Sequence, residues 1–154
     1  MSGARELVAM LTRRGETVAA AESLTAGLVC ATLAGVPGAS AVLRGGLVVY
    51  ATALKAVLAG VDEQLLAEHG AVHPEVAAQL ARGARERCGA TWGLGLTGVA
   101  GPDPQDGVAP GTVYVGLSGP GVDTVRELAE TGERDAVRRA SVRAAFALLR
   151  EQLD

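Results

Sequence analysis

Short apolar segments that alternate with helical patterns restrict the fold of this sequence more than any other feature. The segments are rich in small, β-branched and apolar residues, which is typical of buried strands. They cover 17–21, 46–50 and 91–97. Apolar residues at helical spacing predict helices over 3–14, 25–36 and 74–88, and over two shorter stretches that Thr52 and Asp62 are expected to cap. This alternation predicts an α/β fold with helices packed on a sheet.

The last third of the sequence departs from the simple alternation. A segment rich in Gly, Pro and Asp at 98–111 predicts a long loop, and loops of this length in compact domains are commonly functional. Two apolar segments, 112–118 and 122–130, predict a hairpin, and a closing helix is expected over 133–152. Its inward positions are predicted to be Ala136, Val137, Ala140, Ala144 and Leu148. We therefore expect one domain over 1–154, a three-layer α/β/α fold with a mixed, mostly parallel sheet.

Charge and cysteine content restrict the partners and the compartment that we expect. The 154 residues carry a net charge of -3 with no concentrated basic face, so neither nucleic acid nor an anionic membrane is an expected partner. Cys30 and Cys88 lie in apolar helical patterns, where buried thiols are expected rather than a disulfide or a metal site. Without an apolar leader or a segment of roughly 20 apolar residues, we expect a cytoplasmic protein.

A polar corner follows the first predicted strand, where Glu22, Ser23 and Thr25 precede a helical pattern. The first N–H groups of a helix lack partners within it, so a hydroxyl there commonly caps the helix. The same free N–H groups also favour a bound anion or a nucleophile placed beside them. The corner alone does not decide between a cap and a reactive hydroxyl.

Lys55 is the only lysine among the 14 basic residues of the chain. Arginine keeps its proton in proteins, whereas a desolvated lysine can have its pKa lowered enough to act as a base. Chance survival of one surface lysine in an arginine-rich chain is the alternative. The predicted elements place Tyr50 and Lys55 on either side of one strand-to-helix corner.

Two sequence patterns resemble known binding sites, but the residues around them do not support such sites. Residues 93–98 satisfy the pattern G-x-G-x-x-G, but they lie inside a predicted strand and a loop follows, so a dinucleotide site is not expected. His69 and His73 have no Cys or carboxylate at ligand spacing, which favours a helix end and a turn over a metal site.

Five short motifs, in order along the chain, resemble those of the CinA C-terminal domain family. They are the segments 21–27, 44–50 with Lys55, 69–72, 97–102 with 110–113, and 132–138. The resemblance implies a cytoplasmic, usually dimeric α/β/α domain that needs neither metal nor other cofactor. Enzymes of the family are nicotinamide-nucleotide amidases, which convert nicotinamide mononucleotide (NMN) to nicotinic acid mononucleotide and ammonia. Because longer members carry an additional N-terminal domain, this chain is expected to resemble the stand-alone amidase.

The same resemblance assigns roles to individual residues. It implies that Ser23 is the nucleophile, that Lys55 is its general base and that Tyr50 is a hydroxyl partner in catalysis. Arg134 or Arg138 is expected to contact the substrate phosphate, for which a guanidinium fork is suited. The remaining substrate-binding positions implied are Thr25, Gly27, Thr97, Gly98 and Gly101.

Four positions differ from the usual family pattern. Ala26 stands where glycine is usual, which is a mild change if its φ is helical. Ala51 and Thr52 replace a Ser-Asn pair, and His73 replaces a serine. These departures put substrate positioning in question more than the class of reaction. A non-catalytic nucleotide-binding or regulatory domain that keeps the pocket is the alternative function, because a fold does not guarantee its chemistry.

Overall fold

Six α-helices and five β-strands alternate through the computed structural model, which describes residues 2–154 apart from the side chain of Ser2. The elements are α1 (Ser2–Arg14), β1 (Val18–Glu22), α2 (Leu28–Ala34), β2 (Leu43–Val48), α3 (Thr52–Ala59), α4 (Glu63–His69), α5 (Pro74–Cys88), β3 (Trp92–Gly98), β4 (Thr112–Gly119), β5 (Val122–Ala129) and α6 (Arg134–Leu153). A short 3₁₀ turn over Ala39–Ala41 precedes β2. Among these helices, none combines the length and the apolar character that a bilayer span requires.

The five strands form one sheet in the order β2-β1-β3-β4-β5. β1 pairs in parallel with β2 and with β3, whereas β3, β4 and β5 pair antiparallel. The last residue of β1, Glu22, lies opposite Val48 of β2 and Leu96 of β3. The sheet is mixed, as the sequence predicts, with two parallel and two antiparallel pairings. The three parallel strands end together at one edge, and the hairpin extends the sheet beyond β3.

Helices cover both faces of the sheet, which confirms the three-layer prediction. Buried residues of α1, α2 and α6 form one core with Ala20 of β1 and with Leu94 and Leu96 of β3. Residues of α3, α4 and α5 form the second core with Ala19 and Ala21. The alternation along β1 reflects the two-residue period of a strand.

The glycines of the discounted G-x-G-x-x-G pattern have a packing role in this fold. A methyl group at Gly93 would overlap the Ala81 carbonyl oxygen, and one at Gly95 would overlap that of Ala77. Both carbonyls belong to α5, so the absence of side chains lets this helix lie directly against β3. The expectation that the pattern does not mark a dinucleotide loop agrees with its position within β3.

Five local predictions are wrong. The second strand covers Leu43–Val48 instead of 46–50, and the Cys30 and Cys88 thiols are half-buried instead of buried. Helix α2 begins at Leu28 instead of residue 25, because Ala26 and Gly27 both have positive φ and cannot continue a right-handed helix. Thr52 is the first residue of α3 and Ala51 is its N-cap, without a side-chain hydrogen bond. In α6, Ala136 is exposed and Ala144 is only half-buried. The Asp62 cap of α4 is confirmed, since its carboxylate accepts from the Gln64 N–H.

Candidate active site

The candidate site lies at the edge of the sheet where β1, β2 and β3 end. Ser23 directly follows β1, Tyr50 lies two residues beyond β2, and Gly98 is the last residue of β3. In open α/β sheets, ligands bind outside the carboxyl ends of the parallel strands. The topology therefore brings together three segments that the sequence motifs single out separately.

Glu22 caps the helix that follows the Ser23 corner, a role that sequence reasoning missed. Its side chain is buried, with 1% exposed, and its two carboxylate oxygens accept from the backbone N–H groups of Val29 and Cys30 at 2.8 and 3.1 Å. A carboxylate at a helix N-terminus satisfies free donors and interacts favourably with the helix dipole. The sequence feature that could have indicated this cap is a charged residue at the end of an otherwise apolar strand.

This cap corrects the expected use of the α2 N-terminus. Its N–H groups at Val29 and Cys30 are occupied by the protein's own carboxylate, so they are not free for a substrate anion. Nor do Ser23 and Thr25 cap α2: its N-cap is Gly27, which makes no side-chain cap bond. Within residues 2–154, the Leu24 and Thr25 N–H groups have no hydrogen-bond acceptor. They are the unused donors next to Ser23.

Lys55 lies in α3, after β2, and is buried, with 1% of the residue exposed. Its ammonium donates to the carbonyl oxygens of Val49 and Tyr50 at 2.9 and 3.1 Å. Burial lowers the pKa of Lys55 from the ordinary lysine value of 10.5 to about 8. At pH 7 about a tenth of this side chain is consequently a neutral amine, the form that a general base requires, and the fraction rises to about half at pH 8.

The backbone links Lys55 to Ser23 although their side chains are not hydrogen-bonded to each other in the described structure. The Val49 N–H donates to the carbonyl of Glu22, the residue before Ser23. The Val49 carbonyl, which accepts from Lys55, therefore belongs to a residue that is hydrogen-bonded to the Ser23 corner. Ser23 is 8% exposed, and the rest of its surface is covered by the corner. Ser23 thus follows the end of β1, and Lys55 of α3 is held by carbonyls that follow the end of the adjacent strand β2.

Arg134 connects three parts of the site from the first turn of α6. One guanidinium nitrogen donates to the Gly101 carbonyl at 2.6 Å and another to the Tyr50 hydroxyl at 2.9 Å. Both acceptors are uncharged, and Arg134 forms no ion pair with a carboxylate within residues 2–154. Its positive charge is therefore available to an anionic ligand.

Arg138 lies one turn further along α6 and binds the corner itself. Its Nε donates to the Leu24 carbonyl at 2.9 Å and its Nη2 to the Thr25 carbonyl at 3.2 Å, while Nη1 contacts Asp135. These bonds hold the residues that follow Ser23 against α6. The structure thus gives the two arginines different surroundings, although their spacing alone made them equivalent.

A cavity of about 350 Å³ opens beside Ser23, which is the size of a small-ligand pocket. Its lining consists of Ser23, Leu24, Tyr50, Gly98, Val99, Ala100, Gly101, Pro102, Asp103, Pro104, Gln105 and Arg134. Five of the residues predicted for the site are therefore gathered around it. The expected loop after β3 supplies more than half of its wall.

The other predicted site residues lie outside this lining. The Thr97 hydroxyl is buried and donates to the Ala71 carbonyl at 2.7 Å, so it holds the chain before α5 against β3. Gly27 has a φ of 101°, which suits glycine at the start of α2. Among the described residues, the buried Thr25 hydroxyl has no hydrogen-bond partner. Lys55 and Arg138 lie outside the lining and donate to backbone carbonyls beside it.

Cys30 and the two histidines are not reactive groups of this site. Burial, reinforced by the Glu22 carboxylate, raises the pKa of the Cys30 thiol to about 12, so it is not a nucleophilic thiolate at neutral pH. His73 caps α5, since its Nδ1 accepts from the Glu75 N–H at 3.1 Å. His69 ends α4 and stacks near His73, with ring centroids 4.6 Å apart.

A hydroxyl and a guanidinium line a ligand-sized cavity at the carboxyl edge of the parallel strands, and a buried amine lies behind the neighbouring backbone, which together define an α/β protein with a pocket at that edge. Residues 2–153 match the CinA C-terminal domain family. The chain belongs to that family.

Curated relatives share about half of their matched residues with this chain. A CinA-like protein of Frankia casuarinae is 48% identical over 147 residues, which cover 96% of this chain and 34% of that protein. A CinA-like protein of Anaeromyxobacter dehalogenans is 51% identical over 146 residues, which cover 94% of this chain and 36% of that protein. The chain thus spans about a third of the length of these relatives.

Solved structures share the fold over nearly the whole chain. The competence/damage inducible protein CihA from Agrobacterium tumefaciens superposes with a TM-score of 0.93 at 32% identity, covering 96% of this chain and 92% of its own. A CinA superfamily protein from Klebsiella pneumoniae superposes with a TM-score of 0.94 at 29% identity, covering 99% and 96%. The three-layer fold with its mixed five-stranded sheet is therefore that of CinA-superfamily proteins.

Proposed function

We propose that this domain hydrolyses the carboxamide of NMN to give nicotinic acid mononucleotide and ammonia, a reaction of pyridine-nucleotide recycling. The motifs that resemble the amidases of the family support the substrate, and the chemistry of the pocket supports the reaction class. The observation that carries the proposal is the buried Lys55, whose pKa is lowered to about 8 next to the strand end that bears Ser23.

In the proposed reaction, the neutral Lys55 amine removes the proton of the Ser23 hydroxyl as its oxygen attacks the carboxamide carbon. The carbonyl oxygen becomes an oxyanion, for which we assign the free N–H group of Leu24, a residue of the cavity lining, as a backbone donor. The Lys55 ammonium then protonates the departing nitrogen, which leaves as ammonia. Water, deprotonated by Lys55, cleaves the resulting ester and regenerates Ser23 with release of the acid.

Ammonia release from NMN by the purified protein tests this proposal directly. We expect Ser23→Ala and Lys55→Arg to abolish turnover, the second because arginine keeps the positive charge but does not give up its proton. Ser40→Ala, an exposed serine away from the pocket, is the matched control and should retain parental activity. A Lys55→Arg variant with near-parental kcat would refute the general-base role. Binding of NMN without turnover by the parent would instead support the non-catalytic alternative.

Arg134 is the proposed phosphate contact, because its guanidinium lines the cavity and is unpaired. A charge-assisted contact contributes about 1.5–3 kcal/mol, so Arg134→Ala should lower kcat/KM for NMN by about 10- to 150-fold. The dephosphorylated riboside should be affected little. Arg139→Ala, which removes an exposed arginine of the same helix, is the control. An unchanged preference for the phosphorylated substrate in Arg134→Ala would place the phosphate elsewhere.

We further propose a cytoplasmic homodimer whose interface uses the apolar surface of β2 and α3. The exposed large apolar residues of the described structure all fall in this part of the chain: Val48, Tyr50, Leu54, Val57 and Leu58. β2 is also an edge strand, and an apolar patch beside a free edge is typical of an interaction surface. Val57→Glu should shift the protein to a smaller species in sedimentation, whereas Gln152→Glu, at an exposed position on α6, should not.

A further inference from the structure

Two groups of opposite charge line the cavity, and the function proposed above uses only one of them. Arg134 lies at one side, and Asp103 is the only acidic residue in the lining of this cavity. Neither forms an ion pair within residues 2–154, although only one residue separates Asp103 from Gly101, whose carbonyl Arg134 binds. Two unpaired opposite charges in one small cavity suit a ligand that carries both charges.

NMN is such a ligand, because its ring nitrogen is positively charged and its phosphate is negative, with a single ribose between them. We propose that Asp103 makes the pocket selective for amides whose aromatic ring carries a positive charge. This inference rests on the proposed function and narrows its substrate class. With the phosphate at Arg134 and the carboxamide at Ser23, the ring lies in the same cavity, where Asp103 is the remaining charged residue of the lining.

The same charge opposes retention of the product. Hydrolysis replaces a neutral carboxamide by a carboxylate, so the product carries one more negative charge than the substrate. Asp103 then repels the group that the reaction has just created. The parent protein should consequently bind NMN more tightly than nicotinic acid mononucleotide, and removal of the Asp103 charge should reduce this difference.

The size of the effect follows from the exposure of Asp103. Asp103 is exposed on the loop between β3 and β4, and the attraction between exposed charges is weakened by water and by salt. Loss of the charge should therefore weaken binding of a cationic ring by about two- to fivefold at low ionic strength. The effect should shrink as salt is added.

Calorimetric titration of the full chain carrying Ser23→Ala, which prevents turnover, measures this selectivity. The two ligands are NMN and its reduced form, which keeps the amide, ribose and phosphate but has an uncharged ring. Asp103→Asn is compared with Asp106→Asn, a change on the same loop outside the cavity lining. Asp106 has a φ of 49°, which asparagine adopts readily, so the control leaves the loop conformation in place.

We expect Asp103→Asn to weaken binding of NMN and to leave the reduced ligand unchanged, with no effect of Asp106→Asn on either. Equal weakening of both ligands would overturn the inference, since the shared ribose and phosphate would then be the partners of Asp103. No change for either ligand would overturn it as well. If the parent selects the cationic ligand through Asp103 but releases no ammonia from NMN, the charge selectivity stands and the proposed amidase activity fails.

Discussion

Replacing Ala26 by glycine should stabilise this protein, although glycine is ordinarily the destabilising choice. Ala26 has a φ of 47°, in the left-handed region, where an L-residue with a Cβ incurs about 1–2 kcal/mol. Glycine removes that penalty but loses about 0.5–1 kcal/mol more in conformational freedom on folding. The net expectation is a gain of about 0.5–1 kcal/mol in the free energy of unfolding, or about 1–4 °C in Tm for a chain of this size.

Urea denaturation and thermal melts of Ala26→Gly and Ala31→Gly measure this effect in a matched pair. Ala31 is an exposed residue within α2, where glycine should destabilise by about 1 kcal/mol. The two substitutions are chemically identical and should have opposite signs. If Ala26→Gly lowers the free energy of unfolding as Ala31→Gly does, the strain at the corner is not real and our explanation of the late start of α2 is refuted.

Three further outcomes follow from the structure. The parental kcat/KM should rise with pH to a plateau with a midpoint near 8, because Lys55 must be neutral to act as a base. Below that pH, burial of the Lys55 ammonium lowers the free energy of unfolding by about 3 kcal/mol, and this loss should disappear as the pH rises from about 8 to 10.5. In urea titrations, Lys55→Met should not show this rise of stability with pH. Arg138→Ala should lower kcat by about 10- to 100-fold with a smaller change in KM, and Arg138→Lys should not restore it, because one ammonium does not replace a fork on two carbonyls. Gly95→Ala should destabilise by about 1–3 kcal/mol through overlap with α5, whereas Gly35→Ala, which meets only ordinary contacts, should be nearly neutral in the same denaturation assay.

The sequence predicts the elements well where periodicity and capping act locally. The α5 helix begins at Pro74 and ends before Gly89, as expected. Both hairpin strands begin at the predicted residues, Thr112 and Val122, and each ends one residue from its predicted end. The corner after β1 is less predictable. Alanine is not a turn residue, so nothing in the sequence marks Ala26 as left-handed and the start of α2 is placed too early.

The site is predicted as a set of residues but not as an arrangement. The motifs single out Ser23, Lys55 and Arg134 without indicating which of them face the cavity. The role of Glu22 depends on donors seven and eight residues away, which a carboxylate reaches only after the corner has folded. Burial of Lys55 is likewise a tertiary property, and it is the property that lowers its pKa.

The two hydrogen bonds from Arg138 to the Ser23 corner join residues 114 and 113 positions apart in the chain. During synthesis, the strand that carries Ser23 leaves the ribosome long before the helix that secures the residues after it. Contacts of such long range form late, because closing the intervening loop is entropically costly. A chain in which α6 has not yet docked therefore contains Ser23 without the hydrogen bonds that hold the residues after it, so the geometry of the candidate site is complete only once α6 is in place.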